Sequence, residues 1–263
     1  MGILDIDQII KVKMIRKSLI IVVMSLIFNA CTPKKTIVIG HRGAKGHLAE
    51  NTLPSINKAL YLGVDGVEID VFRCASGELV VFHDQTLEKL TNSSGYIEQL
   101  DLDSIKKIEV LNGFTIPTLE EVLNLIEGKV LLNIELKGSN TAFLTDSILQ
   151  TYFKKDTWLP DKILISSFNW EELRVFHNLN KKVPIAVLTE DDPLDAIPIA
   201  QSLNAIAINP NFRLLTKDNI AKIKKAGLKI ITWTVNQPKQ IDIMMELGVD
   251  GIITDFPERV KDK

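Results

Sequence analysis

The chain has 263 residues, 46% of them hydrophobic and 24% charged, a composition that excludes a disordered chain and supplies enough apolar surface for a large core. Its formal charge is −2 and its isoelectric point about 6.1. With no basic surplus to neutralise a phosphate backbone, the balance argues against nucleic acid as a partner.

The first segment reads as an address. Lys11, Lys13, Arg16 and Lys17 precede the apolar run SLIIVVMSLIF, and NACTPKK follows it. A run of roughly 10 apolar residues falls short of the about 20 that span a bilayer but suits a signal-peptide core. Ala30 directly before Cys31 resembles the lipobox of bacterial lipoproteins, with Phe28 where that pattern usually has leucine. The expectation is therefore a signal peptide over residues 1–30, of which 1–13 precede the more typical start at Met14. A lipidated Cys31 and a short tether over 31–35 would follow, placing the protein at the bacterial cell envelope with a membrane as partner. The competing reading is an uncleaved anchor or a buried helix. If Cys31 is acylated, Cys74 has no intramolecular partner and no internal disulfide is expected.

Residues 36–263 read as one domain in which short apolar strands alternate with helical patterns. The strand candidates are TIVIG, GVEIDV, ELVVFHD, VLLNIEL, KILISSF, PIAVLT, AIAIN, LKIITWTV and DGIITD. Most are apolar on both faces and rich in Ile and Val, as parallel strands covered by helices are. Helical spacing recurs in TLPSINKALYLG, TLEEVLNLIEG, NWEELRVFHNLN, TKDNIAKIKKAG and PKQIDIMMELG, and glycine closes several of them as a C-cap. Nine strands are one too many for a (β/α)₈ barrel. The short RCASG link between GVEIDV and ELVVFHD leaves room only for a hairpin, because a parallel crossover needs a dozen or more residues. Eight strands then remain for an α/β TIM barrel, with residues 84–116 as an excursion near its mouth. A doubly wound open sheet is the alternative.

Polar residues gather where the strands end: His41 and Arg42 in GHRG, Glu68 and Asp70 in EID, His83 in FHD, and Glu135 and Lys137 in IELKG. Barrels of this type build their active face at the C-terminal ends of the strands. Glu68 and Asp70, two apart on one strand, point to the same side about 6.5–7 Å apart. With Glu135 from another strand they form a carboxylate triad, whose mutual repulsion calls for a divalent cation, Mg²⁺ or Ca²⁺ by the all-oxygen donor set. The alternative is separate ion pairing of Glu68 or Glu135 with Arg42 or Lys137. His41 and His83 can divide the roles of acid and base, Arg42 and Lys137 can hold a phosphoryl group, and Gly43 lets the backbone pass close.

In order along the chain, HRGAKGHLAENT, GVDGVEIDV, LVVFHD, NIELKG, ISSFN, ITWTVN and VDGIITDFPE resemble the motif series of the glycerophosphodiester phosphodiesterase family over Ile39 to about Val260. The resemblance implies a TIM barrel with a small insertion after the FHD hairpin. It implies metal-dependent hydrolysis of glycerophosphodiesters to sn-glycerol 3-phosphate and an alcohol. Carried onto this chain, it makes His41 and His83 the catalytic pair, Glu68, Asp70 and Glu135 the metal ligands, and Arg42 and Lys137 the phosphate contacts. Trp233 resembles the aromatic that lines the family's substrate pocket. Glu50 is expected to buttress the first loop by hydrogen bonds, while His47 and His177 read as surface or helix residues. Ala49 stands where the family usually has proline. A lysophospholipid or sphingolipid phosphodiesterase on a similar barrel is one alternative, which exposed apolar residues around the mouth would favour. A lipid-anchored binding protein is another, which would need no acid–base histidines.

Overall fold

The computed structural model describes residues 35–260. The expected signal peptide and the lipidation of Cys31 lie outside the described residues. Among the described residues, no helix is long and apolar enough to cross a membrane.

The nine strand candidates all form. They are β1 (Ile37–His41), β2 (Gly66–Arg73), β3 (Leu79–Val81), β6 (Leu131–Leu136), β7 (Ile163–Ser167), β8 (Ile185–Thr189), β9 (Ala207–Pro210), β10 (Lys229–Thr232) and β11 (Gly251–Thr254); the two-residue strands β4 (Glu109–Val110) and β5 (Phe114–Thr115) pair with each other within the excursion. Eight strands run parallel in the cyclic order β1, β2, β6, β7, β8, β9, β10, β11, and β11 pairs back onto β1, closing the barrel. As the short RCASG link requires, β3 runs antiparallel to β2, with Val71 opposite Val81.

Alternation along each strand sets the two sides of the wall. Ile39, Leu164, Ala186, Ala207, Ile231 and Ile253 pack together as the barrel interior. Val38, Val67, Ile69, Ile134, Ile165, Val187 and Ile252 belong to the main core that packs against the helices. On β2 and β6 the inward positions change from small and apolar at the base (Gly66, Leu131) to polar above (Glu68 beside Asn133, Asp70 beside Glu135). That gradient places ionisable groups at the mouth.

All five helix patterns are present: α1 (Leu53–Tyr61), α3 (Leu119–Ile126), α5 (Trp170–Leu179), α7 (Lys217–Lys225) and α8 (Pro238–Glu246). Thr118 and Glu121 form a capping box at the start of α3, and Thr216 and Asn219 form one at α7, each satisfying backbone N–H groups that the first turn leaves free. The excursion carries a short helix, α2 (Leu102–Ile105), and a core of its own, in which Phe72, Val80, Phe82, Leu87, Ile97, Ile105 and Ile116 are buried. Cys74 lies in that core as a free thiol. Two further helices complete the barrel, α4 (Thr141–Lys154) and α6 (Ala196–Ser202).

Candidate active site

The turn after β1 is shaped before it is charged. Arg42 adopts a left-handed backbone with φ of 52°, unusual for a residue with a Cβ. Its N–H donates to Glu68 Oε2 at 2.9 Å, and its carbonyl accepts from the N–H of Asn51 at 3.0 Å and from Ser55 Oγ at 3.1 Å. These bonds hold the turn against its local cost. Gly43 follows at φ of 87°, and a Cβ there would stand 2.5 Å from Ser55 Oγ and 2.7 Å from the N of Ile56. Only glycine fits.

The guanidinium of Arg42 reaches back over the barrel mouth. Nη1 donates to Glu50 Oε1, and Nε lies 3.2 Å from Asp70 Oδ2. Lys45 Nζ takes the other oxygen of Glu50 at 2.7 Å, so Glu50 buttresses the loop as expected. Asn51 Nδ2 donates to Asp70 Oδ2 at 2.8 Å. Burial alone would weaken the arginine's charge, but Asp70, Glu50 and Glu68 together hold it firmly protonated.

Glu68, Asp70 and Glu135 each offer an oxygen, and the three lie within 4.8 Å of one another, all buried. Burial raises Glu68 well above the usual carboxylate range, and Asp70 and Glu135 raise it further. Burial and then Asp70 push Glu135 up to about 7, although Lys137 Nζ lies 3.3 Å from it. Four carboxylates (Glu50, Glu68, Asp70, Glu135) thus share three cations (Arg42, Lys45, Lys137). Ion pairing accounts for part of the cluster, since Lys137 pairs with Glu135 and Arg42 with Asp70. It leaves Asp70 Oδ1 buried with no hydrogen-bond partner. Three converging carboxylates, one with an orphaned oxygen, suit a hard divalent cation.

The two histidines border this triad, and each is oriented by a carboxylate. His41 Nδ1 donates to Asp255 Oδ1 at 2.6 Å. Asp255 is itself held by Asn236, whose Nδ2 donates to Oδ2 at 2.7 Å and whose Oδ1 accepts from the Asp255 N–H at 2.9 Å. His83 Nδ1 donates to Asp84 Oδ1 at 2.7 Å, while Lys137 Nζ approaches its Nε2 at 3.1 Å. A carboxylate can only accept and an ammonium only donate, so His83 is the neutral tautomer with a bare Nε2. Burial pushes both histidines below the usual range; Asp255 pulls His41 back up, and Arg42 opposes that. Burial would raise Asp255 and Asp84, but their histidine bonds bring both below the ordinary aspartate value.

Of the sequence-predicted catalytic, substrate-binding and metal-ligating residues, all but Asp70 line one cavity of about 670 Å³, and Asp70 joins it through the triad with Glu68 and Glu135. Trp233, Phe168 and Trp170 are also in the cavity's lining, and the rings of Phe168 and Trp233 meet edge-on with centroids 5.5 Å apart. Of the large hydrophobic residues exposed among the described residues, Phe168 lines this cavity. His47 pairs with Glu258 at 3.0 Å and His177 lies on α5; neither lines the cavity. Sequence reasoning missed Asp255, Asp84, Asn51 and Asn236. Two of them were visible as acidic residues directly after a strand or a histidine, in IITD and FHD.

The family model described as the glycerophosphoryl diester phosphodiesterase family matches residues 41–259. A glycerophosphodiester phosphodiesterase of Caldanaerobacter subterraneus subsp. tengcongensis is 34% identical over 234 residues, covering 85% of this chain and 96% of the relative. One from Bacillus altitudinis is 34% identical over 237 residues, with the same coverage. Among solved structures, a phosphodiesterase of Oleispira antarctica in complex with the product sn-glycerol-3-phosphate superposes with a TM-score of 0.79 at 28% identity, covering 86% of this chain and 95% of that one. A fold, a carboxylate triad and two oriented histidines that agree with a match over most of the chain lead to one conclusion: this is a hydrolase that belongs to the glycerophosphoryl diester phosphodiesterase family.

Proposed function

We propose that the enzyme cleaves deacylated phospholipid headgroups, glycerophosphodiesters, into sn-glycerol 3-phosphate and an alcohol by two-histidine acid–base catalysis. The observation that carries this reading is the pair of imidazoles in one cavity, each held by a carboxylate on Nδ1. A protein that only binds phosphodiesters has no use for two such groups.

His83, neutral with a bare Nε2, is the general base that removes the proton of the attacking oxygen. His41, whose imidazolium form Asp255 stabilises, is the acid that protonates the departing alkoxide as the P–O bond to the alcohol breaks. Lys137 leaves His83 to meet the phosphoryl oxygens, and Arg42 adds fixed positive charge behind them. Glu68, Asp70 and Glu135 would hold the cation, Mg²⁺ or Ca²⁺. When bound, that ion would supply positive charge for the phosphoryl group and would lower the pKa of an oxygen nucleophile at the site. Cys31, lipidated, would tether the enzyme to the membrane of the cell envelope.

The test is turnover by the full-length chain, purified in detergent, on a panel of glycerophosphodiesters and intact lysolipids, with and without chelator. Release of glycerol 3-phosphate that stops on chelation and returns with Mg²⁺ or Ca²⁺ is expected. His41→Ala and His83→Ala should each lose about 10²-fold or more in kcat while still binding substrate. Near-normal turnover in both variants would remove the mechanism.

A further inference from the structure

The barrel has a base as well as a mouth. All eight barrel strands run parallel and the candidate site gathers at their C-terminal ends, so the segments that enter the strands form the opposite face. Thr36, where the chain enters β1, is pinned to that face. Its Oγ1 donates to the carbonyl of Val249, and the N–H of Ile37 donates to the carbonyl of Asp250, both at 3.0 Å. Only residues 32–35 separate Thr36 from Cys31. That length of chain reaches at most about 18 Å, less than the roughly 21 Å of the 14-residue helix α4 on the barrel's flank. A lipid on Cys31 is thus too short a leash to bring the mouth to a bilayer past the base.

Charge is unevenly spread around the base. The strands β8, β9 and β10 are consecutive in the barrel, and the segments that lead into them, residues 179–184, 201–206 and 224–229, contain five lysines and no carboxylate. Those lysines (Lys181, Lys182, Lys224, Lys225 and Lys229) are exposed, and so are Leu179 and Ile206 in the same segments. The helix dipole of α7 favours Lys224 and Lys225 in its last turn. It does not reach Lys229, which opens β10, and it does not supply the apolar residues beside them. Elsewhere on the base the charges are mixed: Glu127 pairs with Lys129 at 2.6 Å before β6, and Asp156 and Asp161 accompany Lys155 and Lys162 before β7. The lysine-rich sector lies near the chain entry, with only β11 between β10 and β1. On the other side of β1, Tyr61, the most exposed of the large hydrophobic residues described, ends α1. At the mouth end of β8 the exposed run is acidic instead, with Glu190, Asp191 and Asp192.

We propose that the lysine-rich sector of the base is a docking face for an anionic lipid surface, which stands the barrel base-down and opens its mouth to the water. The inference rests on the lipidated Cys31 proposed above. The anchor confines these lysines to the neighbourhood of the bilayer, where anionic headgroups attract them over a Debye length, about 8 Å at physiological salt. Leu179, Ile206 and Tyr61 add the apolar and amphipathic side chains that settle at the headgroup level. The same field repels the acidic rim of the mouth. Substrate then arrives from solution, as a deacylated and water-soluble diester does, and not from within the bilayer.

Reporter cysteines read the orientation. Gln201→Cys lies at the base end of α6 and Glu171→Cys at the mouth end of α5, and both positions are exposed. Cys74 is buried and Cys31 is blocked by its lipid, so a thiol-reactive fluorophore marks the reporter. The full-length lipoprotein is added to preformed vesicles of phosphatidylcholine, with or without phosphatidylglycerol, whose headgroups carry a spin label that quenches the fluorophore. With phosphatidylglycerol present, quenching at position 201 should exceed that at position 171 by about fivefold or more, and high salt should reduce it by about half or more. Omitting phosphatidylglycerol, or reversing charge in K181E/K182E/K225E/K229E, should do the same, while turnover and Tm of that variant stay at the wild-type values. Equal quenching at the two positions, or a pattern unmoved by charge reversal, would overturn the docking face and leave the anchor and the phosphodiesterase reading intact. A wild-type Cys31 that carries no lipid by mass spectrometry would instead overturn the anchor reading, and this inference with it.

Discussion

Replacing Asp255 by asparagine separates an oriented histidine from a merely adjacent one. The His41–Asp255 bond, 2.6 Å long and flanked by only partly exposed side chains, is charge-assisted, and such bonds contribute about 1.5–3 kcal/mol. If that contribution is realised when the imidazole becomes charged, its loss corresponds to about 10- to 150-fold in kcat. Tautomer inversion adds to this. Asn236 Nδ2 donates to Oδ2 of Asp255, so the amide oxygen of a D255N variant would settle there and turn its NH₂ toward His41. Nδ1 would then have to accept, and the proton would sit on Nε2. Asp255 also raises the pKa of His41, against burial and Arg42, so the substitution lowers it. If His41 is the acid, it must be protonated for turnover, and the alkaline limb of the kcat profile moves to lower pH. If it were the base, the acid limb would move in that direction instead. The assay is kcat against pH for wild type and D255N, with Tm as a control for folding. The expected result is a loss of about 10²-fold or more, with the alkaline limb displaced and the acid limb in place. A kcat within about threefold of wild type, with neither limb moved, would refute the reasoning.

Other outcomes follow from the same geometry. Because burial and Asp70 hold Glu135 near pH 7 in the metal-free protein, the cation must displace a proton below that pH. Calorimetry of Mg²⁺ or Ca²⁺ binding at pH 6.5 in two buffers of different ionisation enthalpy should show net proton release and weaker affinity than at pH 8; binding without proton release would contradict the raised triad. Gly43→Ala places a methyl against Ser55 and the backbone of Ile56 at positive φ, and should cost about 2–3 kcal/mol, or about 4–12 °C in Tm. An unchanged melting curve would show that the turn relaxes. Cys31→Ser should release the chain from membranes or leave it unprocessed, as fractionation of expressing bacteria would reveal; a soluble, unlipidated wild type would defeat the anchor.

The barrel was legible because parallel strands covered on both faces must be apolar throughout, and nine such runs stand out in the sequence. One short link then decided which of them was a hairpin. Two of the barrel's own helices were not legible, besides the short α2 of the excursion. The α4 helix buries Thr141 and Thr145 beside Ala142 and Leu149, so its inward stripe is half polar and the apolar period is blurred. The α6 helix carries Pro198 in its first turn, where the missing N–H costs nothing but the residue reads as a breaker. Both depend on tertiary burial that a local window does not contain.

The site divides along the same line. His41, Arg42, Glu68, Asp70, His83, Glu135 and Lys137 could be found because each interrupts or ends an apolar run, where a charge has no structural reason to be. Asp255 could not, since an aspartate after a strand is also ordinary turn chemistry, and its meaning comes from a histidine 214 positions away. That distance is bridged only when β11 pairs with β1, setting Thr254 beside Gly40. The N–H of Gly46 then bonds the carbonyl of Asp255, and His47 meets Glu258 across the same seam. The orientation of His41 is therefore a product of barrel closure itself. The carboxylate triad is assembled by neighbouring strands β2 and β6 and needs no such closure. On the proposed mechanism, metal affinity and acid–base competence would thus rest on different parts of one fold, and loosening the β1–β11 seam would take away the second before the first.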